Sequence, residues 1–466
     1  MSQRLNFSIE LGKQSDNQTS SRPGDLQLTF VVLGSFAGTQ DSGTLLGSSK
    51  NALRRIDQDN YESFLNQLNP SLVIDLAGCK EPLILTFENL EDFHPDQLYK
   101  KLSLLDIAPD SASQNPQPPI TDQNQPSADD KESNQQTLSR LLGERSLSNT
   151  PGSSSISQEK SAQIESIVGR LVNNSLQENR DRENDQNQEP SDLHESIPEL
   201  LRSVLHHPEF QRLESHWRGL DWLLRNLELD DLDEIYALNL RSEDWDIYSQ
   251  QDLDIVQTDL YKTLQARFGD RSSSEQKFIL ICDKQISPSS KDLQLLDKLG
   301  QIAASLDAQL IAGAEDEFIP SDQSKPGDLD QWIAFQNGQF ANRVSLVLPR
   351  LLLRLPYGAQ YDPTDDFSFE ELAQEWSSAE LLWGSPSYAL AVVLAAYNRL
   401  SNPQEASSLS DCPAFAYSLD GETHLQPCTE HLFREKQLER ILQLGLIPII
   451  GSRRSNLIKL PWFPQL

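Results

Sequence analysis

The sequence predicts an α/β protein with two layered domains of mixed sheets and flanking helices, joined by a long disordered linker. Short apolar runs alternate with segments whose apolar residues recur at steps of three and four, as strands alternating with helices do. Residues 106–191 break this pattern, because they contain no Trp, Phe, Tyr or Cys and consist mainly of Ser, Asn, Gln, Asp, Glu and Pro. The predicted domains are therefore residues 1–105 and 192–466, with residues 106–191 as the linker.

The first domain is predicted to be a small unit of strands and helices. Residues 5–11 alternate apolar and polar side chains, as an exposed strand does, and two later runs are more apolar, as buried strands are. The sequence DFHP at residues 92–95 is typical of a cap and turn before a helix. The predicted strands are residues 5–11, 26–34 and 83–87, and the predicted helices are residues 60–68 and the segment from that turn to Leu105.

The second domain is predicted to be a longer alternating series. Its apolar runs of five to seven residues are separated by segments with helical periodicity, which favours a parallel or mixed sheet covered by helices. The predicted strands are residues 234–240, 277–282, 309–314, 344–348 and 446–450. The predicted helices are residues 195–226, with an interruption near Pro208, and residues 255–268, 293–306 and 388–397.

The linker is too polar to bury enough apolar surface to offset its ordering entropy. As a random coil it would span about 50 Å, enough to place the two domains side by side in several registers. Two islands, TLSRLLG at residues 137–143 and IESIVGRLV at residues 164–172, have the spacing of short amphipathic helices that form on a partner or only transiently.

Composition excludes several classes of protein. A net charge of −31 argues against binding to nucleic acid or to an anionic membrane surface. The chain has no apolar run near the roughly twenty residues that span a bilayer and no hydrophobic signal-peptide core, so a cytoplasmic protein is expected. Four scattered cysteines without a CxxC pair fit reduced thiols and not a zinc cluster.

The run HHPEFQRLESHWRGL at residues 206–220 is the most distinctive in the chain. Its histidines do not have the i, i+4 spacing of a helical metal site, and Pro208 interrupts the helix. The sequence predicts a helix through Leu205, a corner at His207 and Pro208, and a second helix from Glu209. Phe210, Leu213 and Trp217 fall on one face, which favours packing or contact over a direct site.

Arginines 350 and 354 lie four residues apart beside prolines, and paired guanidinium groups suit carboxylates. A structural ion pair, to an internal or a neighbouring carboxylate, is favoured over ligand binding. The candidate residues for packing or assembly are Phe210, Leu213, Trp217, Arg218, Arg350, Arg354 and Trp383.

The search for catalytic chemistry yields no catalytic, cofactor-binding or metal-binding residue. Ser35 is displaced from the position it would occupy in a GxSxG nucleophile elbow, and AGAE at residues 312–315 lacks the glycines and lysine of a phosphate loop. His424, Cys428 and His431 match no common zinc spacing. The protein is therefore expected not to be an enzyme, and an α/β hydrolase is the least favoured alternative.

Residues 206–220 resemble a signature of the large sheath subunit of type VI secretion systems, the TssC, VipB or EvpB-like family. Stretches similar to this family follow in the expected order: LPRLLLRLPYG at 348–358, FEE at 369–371, LWGSPSYALA at 382–391, PCTE at 427–430 and GLIPII at 445–450.

The N-terminal part resembles the small sheath subunit, TssB or VipA. The resemblance rests on FVVLGSFAG at residues 30–38, RIDQDNY at 55–61 and LTFENLEDFHP at 85–95. The two subunits are usually separate chains, so the resemblance implies that one chain holds both sheath-type domains.

The resemblance implies a structural subunit that polymerises around an inner tube and ejects it by contraction, without a cofactor. The implied partners are further copies of the chain in a helical or ring homo-oligomer, an Hcp-like tube protein and baseplate proteins. A ClpV-like AAA+ ATPase reads the N-terminal segment of the large subunit in the family, which makes Leu138, Leu141 and Leu142 its candidate recognition residues here.

A second function stays open. Large subunits continue well beyond the GLIPII element into strands that interweave protomers, and small subunits carry a long helical tail where this chain has its linker. The alternative is therefore a sheath-like accessory protein that caps, nucleates or regulates assembly of the sheath or baseplate.

Overall fold

The computed structural model describes residues 27–39, 52–76, 82–104, 192–229, 232–270, 276–319, 329–373, 376–399, 407–419, 422–453 and 455–461. The described residues within Met1–Ile107 and Ile197–Leu466 form one compact unit, and of the second unit, Ala108–Ser196, only the start of one helix is described. The predicted strand at residues 5–11 and both linker islands lie outside the described residues.

The strands are β1 (Gln27–Gly34), β2 (Arg54–Arg55), β3 (Ser71–Ile74), β4 (Leu83–Thr86), β5 (Glu234–Asn239), β6 (Gln276–Ile286), β7 (Ala308–Ala314), β8 (Val344–Leu348), β9 (Leu351–Leu352), β10 (Trp383–Gly384), β11 (Ser408–Leu409), β12 (Phe415–Leu419), β13 (Glu422–Gln426), β14 (Ile447–Pro448), β15 (Ile450–Ser452) and β16 (Ser455–Lys459).

The helices are α1 (Tyr61–Leu68), α2 (Pro95–Leu104), α3 (Asp192–Leu205), α4 (Pro208–Asn226), α5 (Ser242–Tyr248), α6 (Asp259–Phe268), α7 (Ser290–Ser305), α8 (Asp330–Gln336), α9 (Ser387–Arg399) and α10 (Glu435–Gln443). Short 3-10 helices cover Leu90–Phe93, Ile255–Gln257, Asp316–Phe318, Ala341–Arg343 and Ser378–Glu380.

A seven-stranded sheet in the order β14-β8-β7-β6-β1-β5-β2 forms the centre of the larger unit. All neighbouring pairs are parallel except β2, which runs antiparallel to β5. In β1, Phe30 pairs with Ile235 of β5 on one side and with Ile279 of β6 on the other. Residues 28–34 of this strand are all buried, as expected for a parallel strand covered on both faces.

Helices cover both faces of this sheet. One face, the α4 side, packs Phe30, Val32 and Ile281 against apolar residues of α1, α3, α4 and α9. The other face, the α7 side, packs Val31 and Leu280 against α5, α6, α7, α8 and α10. Alternate residues of β1 therefore enter different layers, which gives a three-layer α/β/α arrangement.

The α/β class is confirmed, but the predicted division into two layered domains is not. β1 belongs to the first predicted domain and lies between β5 and β6 of the second. The physical reason is that β1 is buried on both faces and needs helices on both sides of its sheet, and most of those helices belong to the second predicted domain. In the described structure, β1 and β2 of residues 1–104 thus share the central sheet with five strands of residues 192–461.

Other predictions differ locally. The strand predicted at residues 83–87 is β4, which pairs with β3 in a separate two-stranded sheet and buries only alternate residues. The strand predicted at residues 446–450 divides into β14 and β15, which join different sheets. Among the described helices, none combines the length and the apolar character needed to cross a bilayer.

Candidate functional site

The start of α4 forms as the sequence predicts. α3 ends at Leu205, His207 adopts an extended conformation, and Pro208 occupies the first helical turn. Nδ1 of His207 accepts a hydrogen bond from the backbone N–H of Glu209 at 3.3 Å. Because proline lacks a backbone donor, it fits this turn, where the N–H groups have no partner within the helix. The predicted corner is confirmed.

The apolar face of α4 lies in the core. Phe210, Leu213 and Trp217 are at most 2% exposed. The indole N–H of Trp217 donates to the carbonyl of Phe36 at 3.0 Å, and its own carbonyl accepts from the hydroxyl of Tyr61 at 2.7 Å. Of the two roles considered for this face, packing within the chain is the one observed, and its main partners come from the N-terminal segments.

Trp217 is the centre of an aromatic cluster. Its ring centroid lies 5.2 Å from that of Phe36, 5.4 Å from Phe64 and 5.8 Å from Tyr61. Such tilted and edge-on contacts are worth about 0.5–1.5 kcal/mol each beyond burial. They hold the segment after β1 and helix α1 against α4.

A buried ion-pair network starts at Arg354. Its Nε donates to Glu214 of α4 at 2.8 Å, and its two terminal nitrogens bind Glu371 at 2.7 and 2.9 Å. Arg218 joins from α4, with Nε 2.7 Å from the Glu214 carboxylate and a terminal nitrogen 2.8 Å from the hydroxyl of Tyr357. Two arginines and two carboxylates thus tie α4 to residues 354–371.

The network is internally neutralised. Burial opposes ionisation of Glu214, but the adjacent charges of Arg354 and Arg218 outweigh it and lower the pKa of Glu214 below its usual value. Glu214 is fully buried, and Glu371 is 1% exposed. The arrangement favours rigidity, because every charge in it has a partner and several hydrogen bonds.

Arg350 and Trp383 also contact groups of the same chain. Arg350 makes a bidentate pair with Glu430, at 2.7 and 2.6 Å. Trp383, in β10, donates its indole N–H to the carbonyl of Ser378 at 2.7 Å and packs on Leu352 and Phe415. Of the carboxylates considered for the two arginines, those found in the described structure are internal.

His431 belongs to a polar cluster beside Arg350. Its Nε2 lies 2.8 Å from Asp316, and this hydrogen bond raises the pKa of His431. Ligand atoms of Asp316, Glu430 and His431 lie within 4.8 Å of one another, a set that the sequence did not suggest because Asp316 is more than a hundred residues away. Arg350 holds Glu430 from one side, which weakens this set as a cation site.

The cysteines near this region are buried. Among the described residues, Cys282, Cys412 and Cys428 are free thiols. His424 stacks on Tyr417 with ring centroids 5.6 Å apart.

A cavity of about 740 Å³ opens at the carboxyl edge of the central sheet. Its wall includes Ser35 after β1, Asp283 and Gln285 in β6, Glu315 after β7, and His216 of α4. Carboxyl ends of parallel strands meet at one edge, and such edges are the usual ligand sites of α/β folds.

His216 is held at this cavity by a buried acid. Its Nδ1 lies 2.5 Å from Asp283, and the same carboxylate oxygen accepts a hydrogen bond from Tyr388 at 2.6 Å. Because a carboxylate accepts only, Nδ1 carries the proton and Nε2 is the remaining polar atom of the ring. Trp245 donates to the hydroxyl of Ser35, and no described serine bonds His216, so a nucleophile–base pair is absent from the described part of this site.

Sequence reasoning missed the His216–Asp283–Tyr388 contact. The three residues are separated by 67 and 105 positions and meet only because α4 and α9 cover the same end of β6. The available signal was a charged Asp283 directly after the apolar run of β6, a position that faces the carboxyl edge of a sheet.

A sheath-protein family accounts for the major part of this chain. Residues 188–459 match the family described as VipB: EvpB/VC_A0108, tail sheath N-terminal domain. The match covers more than half of the 466 residues, and the chain belongs to this family.

One curated relative is the type VI secretion system sheath protein TssC1 of Pseudomonas aeruginosa (strain PAO1). It is 24% identical over 354 residues, which cover 69% of this chain. The aligned part spans 64% of the length of that relative.

Proposed function

We propose that this protein is a structural subunit of a contractile type VI secretion sheath in which small-subunit and large-subunit parts are fused. The proposal assigns residues 1–105 to the TssB-like part, residues 192–466 to the TssC-like part and residues 106–191 to a tether. Membership of the sheath family and the likeness to TssC1 support the large-subunit assignment.

The observation that carries the fusion is the packing around Trp217. The aromatic side chains of Phe36, Tyr61 and Phe64 surround a residue of α4 more than 150 positions away, and β1 completes the sheet between β5 and β6. An N-terminal part that shares its core with the family domain is what a subunit pair joined in one chain requires.

The proposed mechanism is mechanical. Copies polymerise around an Hcp-like tube in the cytoplasm, dock on baseplate proteins and store free energy in an extended lattice that contraction releases. The subunit acts without enzymatic chemistry. A ClpV-like ATPase recycles the sheath, and its proposed contacts are Leu138, Leu141 and Leu142. A second set of residues supports assembly by stabilising the fold of the subunit: Phe210, Trp217, Arg218, Arg350, Arg354 and Trp383.

Assembly is the direct test. The chain is co-expressed with its tube protein, purified, and imaged by negative-stain electron microscopy. The expected result is long tubes with a cogwheel cross-section. The chain expressed alone serves as the control for assembly that depends on the tube.

The protein could instead form only monomers, rings or short caps while circular dichroism shows that it is folded. That result would contradict a main sheath role and support an accessory protein that caps or nucleates assembly.

A variant with Leu138→Ser, Leu141→Ser and Leu142→Ser should still form tubes but resist disassembly by the ATPase.

A further inference from the structure

The cavity at the carboxyl edge lies where the chain changes direction across the sheet. Strand β1 is followed by elements that lead to the α4 side, whereas β6 is followed by α7 on the opposite face. Adjacent parallel strands whose connections diverge leave a crevice beyond their carboxyl ends. The pairing of β6 with β7 is also irregular between Cys282 and Ile286, and such bulges turn side chains toward functional sites.

Three groups at this cavity are hydrogen-bond acceptors without a partner among the described residues. In the neutral ring, Nε2 of His216 is one, on a residue that is 6% exposed. The side-chain oxygen of Gln285 is buried and has no hydrogen-bond partner. The carboxylate of Glu315 makes neither a hydrogen bond nor an ion pair within 4.0 Å in the part of the chain that the structure describes. Burial raises its pKa and outweighs the opposite effect of the nearby Arg350 charge.

The basic side chains of the cavity wall, in contrast, all have partners within the described chain. Each basic side chain already binds a carboxylate of the chain: Arg212 binds Glu209, Arg241 binds Asp244, Lys284 binds Asp292, and Arg350 binds Glu430. The acid Asp283 is likewise occupied by His216 and Tyr388. Among the described carboxylates of the wall, Glu209, Glu243, Asp246 and Asp283 each have a basic partner within 4.0 Å, and Glu315 is the one that has none.

We propose that this cavity binds a guanidinium or primary ammonium group, with Glu315 as its counter-ion and with His216 and Gln285 as further acceptors. A guanidinium carries five N–H donors and a delocalised charge that matches a carboxylate. The cavity volume of about 740 Å³ is larger than a single guanidinium or ammonium group, so the cavity also has room for the atoms to which that group is attached. Its source is either an arginine or lysine of another protein or a small organic cation.

The test uses the whole chain and two probes of nearly the same shape, butylguanidinium and the neutral butylurea. Isothermal titration calorimetry at constant ionic strength should show binding of butylguanidinium and none of butylurea. Glu315→Gln, which removes the charge and keeps the shape, should weaken butylguanidinium binding about tenfold or more. Gln285→Met should weaken it less.

Glu317→Gln is the matched control, because Glu317 is an exposed acid two residues away that does not line the cavity. Its affinity should equal that of the wild type. No binding of butylguanidinium by the wild type, equal binding of butylurea, or equal loss in both glutamine variants would overturn the proposal.

If a cation binds, a tube-assembly experiment distinguishes a side chain of another protein from a small molecule as its source. If butylguanidinium inhibits tube formation by the wild type and Glu315→Gln fails to form tubes, the group belongs to a neighbouring protein chain. If tubes form normally in both cases, the group belongs to a small molecule. Because binding is measured on the purified chain, it stands or fails separately from the sheath function.

Discussion

At the scale of single residues, Arg354 combines two carboxylate partners with an aromatic one. Its side chain is 8% exposed, makes bidentate contact with Glu371 and also binds Glu214. Its guanidinium carbon lies 4.0 Å from the centre of the Tyr357 ring, so one face of the group stacks on an aromatic ring. Lysine has neither the planar fork nor the stacking face, and it would not replace this arginine.

Arg354→Met should lower the free energy of unfolding by about 3–5 kcal/mol, because it leaves two buried carboxylates without their main partner. Urea unfolding followed by tryptophan fluorescence measures the change. Arg212→Met removes a pair that is more than half exposed on the arginine side, and it should cost less than about 1 kcal/mol. Similar losses of stability in the two variants would show that the buried network contributes little to the free energy of unfolding.

Acid should weaken the same network. The folded-state pKa of Glu214 lies below its unfolded value, so its contribution is fully present above about pH 4.3 and is lost as the pH falls through the folded pKa. Glu214→Gln has no such group to protonate. The difference in free energy of unfolding between this variant and the wild type should therefore become smaller as the pH falls from 7 to 3. Unfolding curves across this range test the sign, with Glu209→Gln as an exposed control whose deficit stays small throughout.

At the scale of elements, the approach of α4 to α9 depends on one glycine. A Cβ atom at Gly219 would lie 2.5 Å from Cε2 of Tyr388, which is itself held by Asp283. The two helices cover the same half of the sheet, and their separation positions both His216 and Tyr388 at the cavity. A larger residue at position 219 would require the Tyr388 ring or the helices to shift.

Gly219→Ala should destabilise the protein by about 1–3 kcal/mol despite the higher helix propensity of alanine, because the methyl group meets a fixed ring. The thermal midpoint by circular dichroism measures the effect. Arg225→Ala, at an exposed position of α4, should change stability by less than about 0.5 kcal/mol. A stabilised Gly219→Ala protein would mean that propensity outweighs the contact.

The elements themselves were largely predictable, and their partners were not. The corner at Pro208 and the buried face of α4 follow from proline chemistry and helical spacing, and the structure has both. The edge strand β2, the hairpin of β12 and β13, and helix α8 were missed because they are short and lack a clear period. Arg350 and Arg354 were recognised as ion-pair residues, but their acids could not be named, since carboxylates 17, 80 and 140 positions away leave no local signal.

At the scale of the whole molecule, the placement of β1 is the main departure from expectation. The polar stretch at residues 106–191 suggested two separate domains, yet the strand before it pairs inside the sheet formed after it. A polar stretch indicates that this segment cannot form a hydrophobic core of its own. It does not indicate whether the segments before and after it pack into one core or two.

A fragment that begins at residue 192 should therefore fail to fold, because β5 and β6 would lose the strand between them. Co-expression with residues 1–107 as a separate chain should restore soluble protein in which both pieces elute together. Size-exclusion chromatography and circular dichroism measure the outcome. A well-folded monomer of residues 192–466 alone would contradict the shared sheet.

The central position of β1 also determines how the protein responds to tension. Thr29 pairs with Glu234 on one side and with Phe278 on the other, and this double ladder continues to Leu33. A pull along β1 loads both ladders in shear, so many hydrogen bonds resist together, whereas an edge strand such as β2 would peel away one bond at a time. Force applied to the N-terminal segment is therefore transmitted straight into the middle of the sheet.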